Sequence, residues 1–159
     1  MNSCQQHGTD HGKKKSLNRL AASATTHCMT GCAIGEILGL VISQAAGWDT
    51  VASIAIAVVL AFFFGYSLTM LPLLRSGMAF GAASGLALAA DTASITVMEI
   101  VDNAIMLVIP GAMTAGLGSM IFWVSLIAGL GIAWFAAFPV NRWLIARGRG
   151  HATIHQHHH

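Results

Sequence analysis

The eight Lys and Arg residues of this 159-residue chain occupy three places only: Lys13, Lys14, Lys15 and Arg19; Arg75; and Arg142, Arg147 and Arg149. The long stretches between them carry no basic side chain and are dominated by apolar residues. Soluble domains average roughly 25% charged residues. Here the figure is 9%, against 55% hydrophobic, too little charge to cover a water-facing surface. Such a chain suits lipid, where helices satisfy their own backbone hydrogen bonds. Its length allows one domain. The net charge of +2 then reports orientation in a membrane and gives no sign of nucleic acid as a partner.

Hydropathy and punctuation predict four transmembrane helices in an all-α polytopic fold. Residues 1–19 are polar and read as a disordered tail, with domain bounds of 1–20 for the tail, 21–147 for the helical domain and 148–159 for a His-rich second tail. The first span runs from about Ala21 to Ala46 and stops near Trp48, a residue type that favours the interface. It ends in Gly47-Trp48-Asp49 with no small-residue cleavage site, so it reads as a retained helix. The second runs from Val51 to Leu74. Residues 77–110 would make a single helix about 50 Å long, against a hydrocarbon core of about 30 Å. A break is therefore expected at Ala90-Asp91-Thr92, where Asp or Thr can cap a new helix. That leaves Gly77–Ala90 as a short re-entrant or packed helix and Thr92–Pro110 as the third span. The fourth runs from Ser119 to Val140.

With four spans all basic residues fall on one face of the membrane, and the positive-inside tendency makes that face, with both termini, cytoplasmic. A fifth span would put the last three arginines outside.

Chemistry concentrates on two helices. In the first span Cys28, Cys32 and Glu36 recur every four residues and climb one face. Gly31, Gly35 and Gly39 form a neighbouring row that lets another backbone approach. In the third span Asp91, Thr92, Thr96, Glu99, Asp102, Asn103 and Met106 fall within an arc of roughly 140°. Glu99, Asp102 and Asn103, at i, i+3 and i+4, can converge their oxygens. Three acids, Glu36, Glu99 and Asp102, thus lie in apolar surroundings with no Lys or Arg at the same depth. A charged side chain at a helix centre costs about 2.5–3.5 kcal/mol on insertion scales. These carboxyls must therefore be protonated or hold a cation.

Cys28 and Cys32, one turn apart, can share a soft ion. His27 joins them only if the helix is irregular, and Met70, Met98 and Met106 extend a soft-donor route. The expected ligand set is Cys28, Cys32, Glu36, Glu99, Asp102, Asn103 and His27, with a transition-metal ion, copper or zinc, as cargo or cofactor. Two other readings stay open: a proton-coupled carrier for another solute, and a structural subunit whose acids only specify packing. No catalytic triad, phosphate loop or nucleotide fingerprint is present, so an enzyme is not expected. Four short helices leave little room for a pathway, which makes a homo-oligomer in the bilayer the expected assembly. His151, His155, His157, His158 and His159 form either a native metal-capable tail or a purification-tag remnant. Cys4 with His7 and His11 is a weaker version of the same feature.

His27-Cys28-x3-Cys32-x3-Glu36, Met98-Glu99-Ile100-Val101-Asp102-Asn103 and Pro139-Val140-Asn141-Arg142-Trp143 carry a likeness. Over about residues 20–152 the chain resembles a family of small bacterial membrane proteins catalogued as a domain of unknown function. The resemblance implies a multi-pass protein of the bacterial inner membrane and supplies no activity. The cysteines of the first span also give a looser likeness to mercuric-ion transport proteins, which use an adjacent pair where this chain has Cys-x3-Cys.

Overall fold

A computed structural model describes residues 4–147, with side chains from residue 16 onward except at position 86. It contains four helices: α1 (Cys4–Ala46), α2 (Thr50–Arg75), α3 (Phe80–Val108) and α4 (Met120–Ala146). All four are long and apolar enough to cross a membrane, so the chain folds as an all-α, multi-pass protein.

The side-chain distribution fits lipid. Large apolar residues such as Val59, Phe63, Ile100, Ile127 and Phe135 point outward, whereas Ala61, Ala83, Ala87, Ala133 and Ala137 are buried. Without a hydrophobic force between helices, association depends on close backbone approach and hydrogen bonds. The α1–α2 pair is built that way. Gly31 faces Gly65, Gly35 faces Ala61 and Gly39 faces Ala57, stepping four residues up one helix and four down the other. A Cβ on Gly31 would lie 2.7 Å from the Gly65 Cα, and one on Gly39 would lie 2.6 Å from the Ala57 Cα. The hairpin is held in antiparallel register by contacts only glycine permits. Gly47, at φ +66°, ends α1, and Asp49 caps α2 by accepting the Ala52 N–H at 2.9 Å.

α1 and α3 run parallel and touch each other as well as both remaining helices; among the described residues α2 and α4 do not meet. α1 and α3 thus form the short diagonal of the bundle. Arg19, Arg75, Arg142 and Arg147 gather at one end, the basic end, and residues 47–49 and 109–119 lie at the other, the loop end.

Two expectations are corrected. The separate segment Gly77–Ala90 does not exist: Phe80–Val108 is one continuous helix. Alanine-rich sequence before Asp91 favours helix, and a break inside the apolar layer would leave backbone groups without partners. Asp91 caps nothing; it is fully buried and hydrogen-bonded across the bundle. The 29 residues of α3 make about 43 Å, and tilt or projection takes up the excess over the core. The second correction concerns the polar tail. From Cys4 on it continues α1 without interruption. Near its inner part Leu17, Leu20 and Phe138 pack against the buried cluster of Ala21, Ala24 and Ile145, and Arg142 Nε donates to Asn18 Oδ1 at 2.7 Å. The His-rich tail lies outside the described residues.

A polar seam between α1 and α3

α1 presents Cys28, Cys32 and Glu36 to α3 because the i, i+4 spacing keeps them on one stripe. α3 answers with a buried stripe of its own: Ala83, Ala87, Asp91, Ser94, Ile95, Met98, Glu99, Asp102 and Met106. Thr92 and Thr96 lie on the exposed edge of α3, where the Thr92 hydroxyl hydrogen-bonds Tyr66 of α2 at 2.9 Å, so the polar arc read from sequence extends beyond the buried seam on one side. Because the helices are parallel, the two stripes pair level by level.

At the level nearest the basic end, all four helices contribute. Asn141 of α4 donates from Nδ2 to Thr25 Oγ1 at 2.9 Å and to Ser94 Oγ at 2.8 Å. Cys28 Sγ donates to Asp91 Oδ1 at 3.6 Å, and Thr69 of α2 also hydrogen-bonds Asp91. Asp91, Ser94 and Thr25 show no solvent exposure at all. Of these, only Asp91 and Cys28 stood out in the sequence as candidates. Interhelical hydrogen bonds in membranes contribute about 0.6 kcal/mol on average and up to about 1.7 kcal/mol. Asn141→Ala removes two together and is expected to lower unfolding stability in mixed micelles by about 1–2 kcal/mol. A loss below measurement error would show that the node is not holding α4.

One turn further along, Cys32 stands beside Glu99. Asn103 Nδ2 donates to the Glu99 backbone oxygen at 2.9 Å and to Oε2 at 3.3 Å, which fixes the carboxyl rotamer. Cys28, Cys32 and Met98 belong to one buried cluster with Ala61, Ile95, Ala133 and Ala137. Two thiols and a thioether therefore lie in one buried cluster, with Asp91 beside Cys28 and Glu99 beside Cys32. Both cysteines are free thiols.

At the third level Glu36 faces Asp102, carboxyl to carboxyl. Both Glu36 oxygens and Asp102 Oδ1 are buried, and apart from the contact between the two carboxyls they have no hydrogen-bond partner among the described residues. Asp102 fits because position 129 on α4 is glycine; a Cβ there would collide with Asp102 Oδ1. A cavity of about 50 Å³ adjoins the pair, lined by Glu36, Ser53, Asp102, Asn103, Met106 and Met113 among others. Met113 and Ala112 belong to the α3–α4 connection, so the cavity runs between the carboxyls and the loop end. Space of this size holds a few water molecules.

The expected ligands are thus brought together in pairs along the seam. Among the described residues no three His, Cys, Asp or Glu side chains converge as a metal-ligand group. Cys28 and Glu36, eight residues apart on a regular helix, are separated by a rise of about 12 Å. His27 does not join the seam; α1 is regular there, and His27 lines a shallow outer groove with Ser23, Thr26 and Thr30.

No curated protein and no solved structure shows a significant match to the chain, so the likeness to mercuric-ion transport proteins gains no support. A family model does match, over residues 17–150, and that stretch covers the four spans, less the first residue of the first, and every residue of the seam. The chain belongs to the family described as domain of unknown function DUF4396.

Proposed function

We propose that this protein binds and carries a soft transition-metal cation, of the copper(I) class, across a bacterial inner membrane. The observation that carries the reading is the buried grouping of Cys28, Cys32 and Met98 beside Asp91 and Glu99. Thiolate and thioether sulfur select soft ions over hard ones. Nearby carboxyls with no basic partner at the same depth supply negative charge that a cation can offset. Met106 and Met113, which line the cavity from the loop end, extend the same donor chemistry towards the membrane surface. Asn103, beside Glu99, and the Glu36–Asp102 pair complete the route in this reading; Cys28 and Cys32 are its central ligands. The gathering of arginine at one end supports cytoplasmic termini. The cavity ends at Glu36 and Asp102, so passage beyond it requires α1 and α3 to move, or more than one copy to assemble.

Copper(I) flux into proteoliposomes tests the reading. Wild-type protein should transport and Cys28→Ser/Cys32→Ser should not. Equal flux for both would overturn it.

A second reading has its own support. The facing carboxyls of Glu36 and Asp102 suit a proton-coupled carrier for another small solute. Under it Glu36→Gln abolishes flux of that solute while both cysteine substitutions are tolerated.

A further inference from the structure

We propose that the outer face of α1 at the basic end, together with the neighbouring edge of α4, binds the headgroup of an anionic phospholipid. Such a site stands whichever ion or solute the protein carries.

α1 is polar where its surroundings should be lipid. Elsewhere the outward faces of the bundle carry Val59, Phe63, Ile100, Ile127 and Phe135. In its half nearest the basic end α1 presents Arg19, Ser23, Thr26 and Thr30 instead, all exposed. At about 100° per residue these four fall within an arc of about 60°, along a rise of about 16 Å. They make one line, a cation followed by three hydroxyls, and the hydroxyls line the shallow outer groove. Thr30 Oγ1 turns back to the Thr26 backbone oxygen at 2.9 Å. Thr26 Oγ1 accepts from Trp134 Nε1 at 3.1 Å, which leaves its own O–H to donate. The Ser23 hydroxyl has no hydrogen-bond partner among the described residues.

α4 lays a second line beside the first. Trp134, Phe138 and Arg142 recur every four residues and so share a face. The two rings stack with centroids 5.3 Å apart, and Arg142 Nε donates to Asn18 Oδ1 at 2.7 Å. That bond fixes the guanidinium against α1, next to Arg19 in sequence, with its terminal nitrogens free to donate outward. Each line thus ends in an arginine at the basic end, and side-chain hydrogen bonds join the two lines at both levels.

Charge selects the occupant. No Asp or Glu occurs between Asp10 and Glu36 or after Asp102. Asp10 stands about 13 Å from Arg19 along α1. Asp91 is buried and already accepts from Cys28, and Arg142 has a neutral partner in Asn18. The protein supplies no counter-charge to either arginine. A second copy supplies none either: in one bilayer it lies at the same depth, and a symmetric pairing would set each arginine level with its counterpart. An anionic phospholipid matches every part. Its phosphate takes the two guanidinium groups, its ester oxygens accept from Ser23 and Thr26, and its chains cover Phe138 and Trp134. Basic pockets between membrane helices on the cytoplasmic side bind such headgroups.

Native mass spectrometry of the full chain, released from nanodiscs of equal phosphatidylglycerol and phosphatidylcholine, tests the proposal. Wild type should retain phosphatidylglycerol in preference. Arg19→Gln/Arg142→Gln should lower that preference roughly 30-fold, each basic residue at an anionic surface being worth about 5-fold. Arg75→Gln/Arg147→Gln removes the same charge from the same end, but Arg75 ends α2 and Arg147 lies over Trp143 on another face of α4. That variant should keep the wild-type preference. The readout is a ratio of two lipids on the same molecules, so a lower yield of folded protein does not mimic the effect. No preference in wild type, or equal loss in both double variants, would overturn the site. Displacement of the lipid by millimolar inorganic phosphate would overturn the choice of ligand, and so would a dimer that retains no lipid.

Discussion

Replacing Gly35 by leucine should destroy the α1–α2 hairpin. A Cβ at this position would already lie 2.8 Å from the Leu60 carbonyl carbon and closer still to the backbone of Ala61. The obstructing atoms are main chain on a neighbouring helix, so no rotamer change relieves the clash. Overpacking a tight contact typically costs about 1–3 kcal/mol, and a leucine here forces apart the whole row of contacts that Gly31, Gly35 and Gly39 share with Gly65, Ala61 and Ala57. Gly35→Leu should therefore cost at least about 3 kcal/mol and yield little folded protein from detergent. Gly81→Ala is the control. Nothing lies within 4 Å of a Cβ there, and Gly81 is in the first turn of α3, so the change should be close to neutral, within about 0.5 kcal/mol. Similar losses at both positions would mean that close α1–α2 approach is not what holds the hairpin.

The second large effect concerns the thiols. Cys28→Ser/Cys32→Ser replaces sulfur by oxygen with little change of volume, and hydroxyls can take over the bonds to Asp91 and Glu99. Stability should move by less than about 1 kcal/mol, since exchanging one hydrogen bond for another is nearly neutral. Soft-metal affinity should fall far more. Disturbing groups behind a metal ligand already costs about 10–100-fold, and removing two sulfur ligands should exceed that. Met98→Leu keeps the apolar volume and removes one thioether, so a smaller loss is expected. If all three variants bind copper(I) as wild type does, the sulfur grouping is packing alone.

What the sequence disclosed, and where it stopped, follows from which information is local. The placement of Lys and Arg and the apolar runs between them were enough for four spans. Spacing alone put Cys28, Cys32 and Glu36 on one stripe of α1. The break at Asp91 failed because an Asp-Thr pair that could cap a helix looks the same as one whose aspartate is satisfied by Cys28 and Thr69 across the bundle. Only the partner distinguishes them, and the partner lies 63 positions away. The node of Thr25, Ser94 and Asn141 was illegible for a related reason. Single hydroxyls in apolar helices usually bond their own backbone, as Thr25 does to the Ala21 oxygen at 2.8 Å. Two signals were present. Thr25 stands one turn before Cys28 on the same stripe, and Asn141 falls in one of the motifs that carry the family resemblance. The pairing of Glu36 with Asp102 depends on how far α3 slides along α1, which no periodicity within either helix records.

The central claim is that sulfur from Cys28, Cys32 and Met98 holds a soft metal ion in the α1–α3 seam. Elemental analysis of the purified full chain, combined with X-ray absorption at the metal edge, tests it most directly. The account predicts copper bound in proportion to protein, with sulfur neighbours around the metal, and loss of both signals in Cys28→Ser/Cys32→Ser. The same trace metal in wild type and variant, or a metal surrounded only by oxygen and nitrogen, would contradict it.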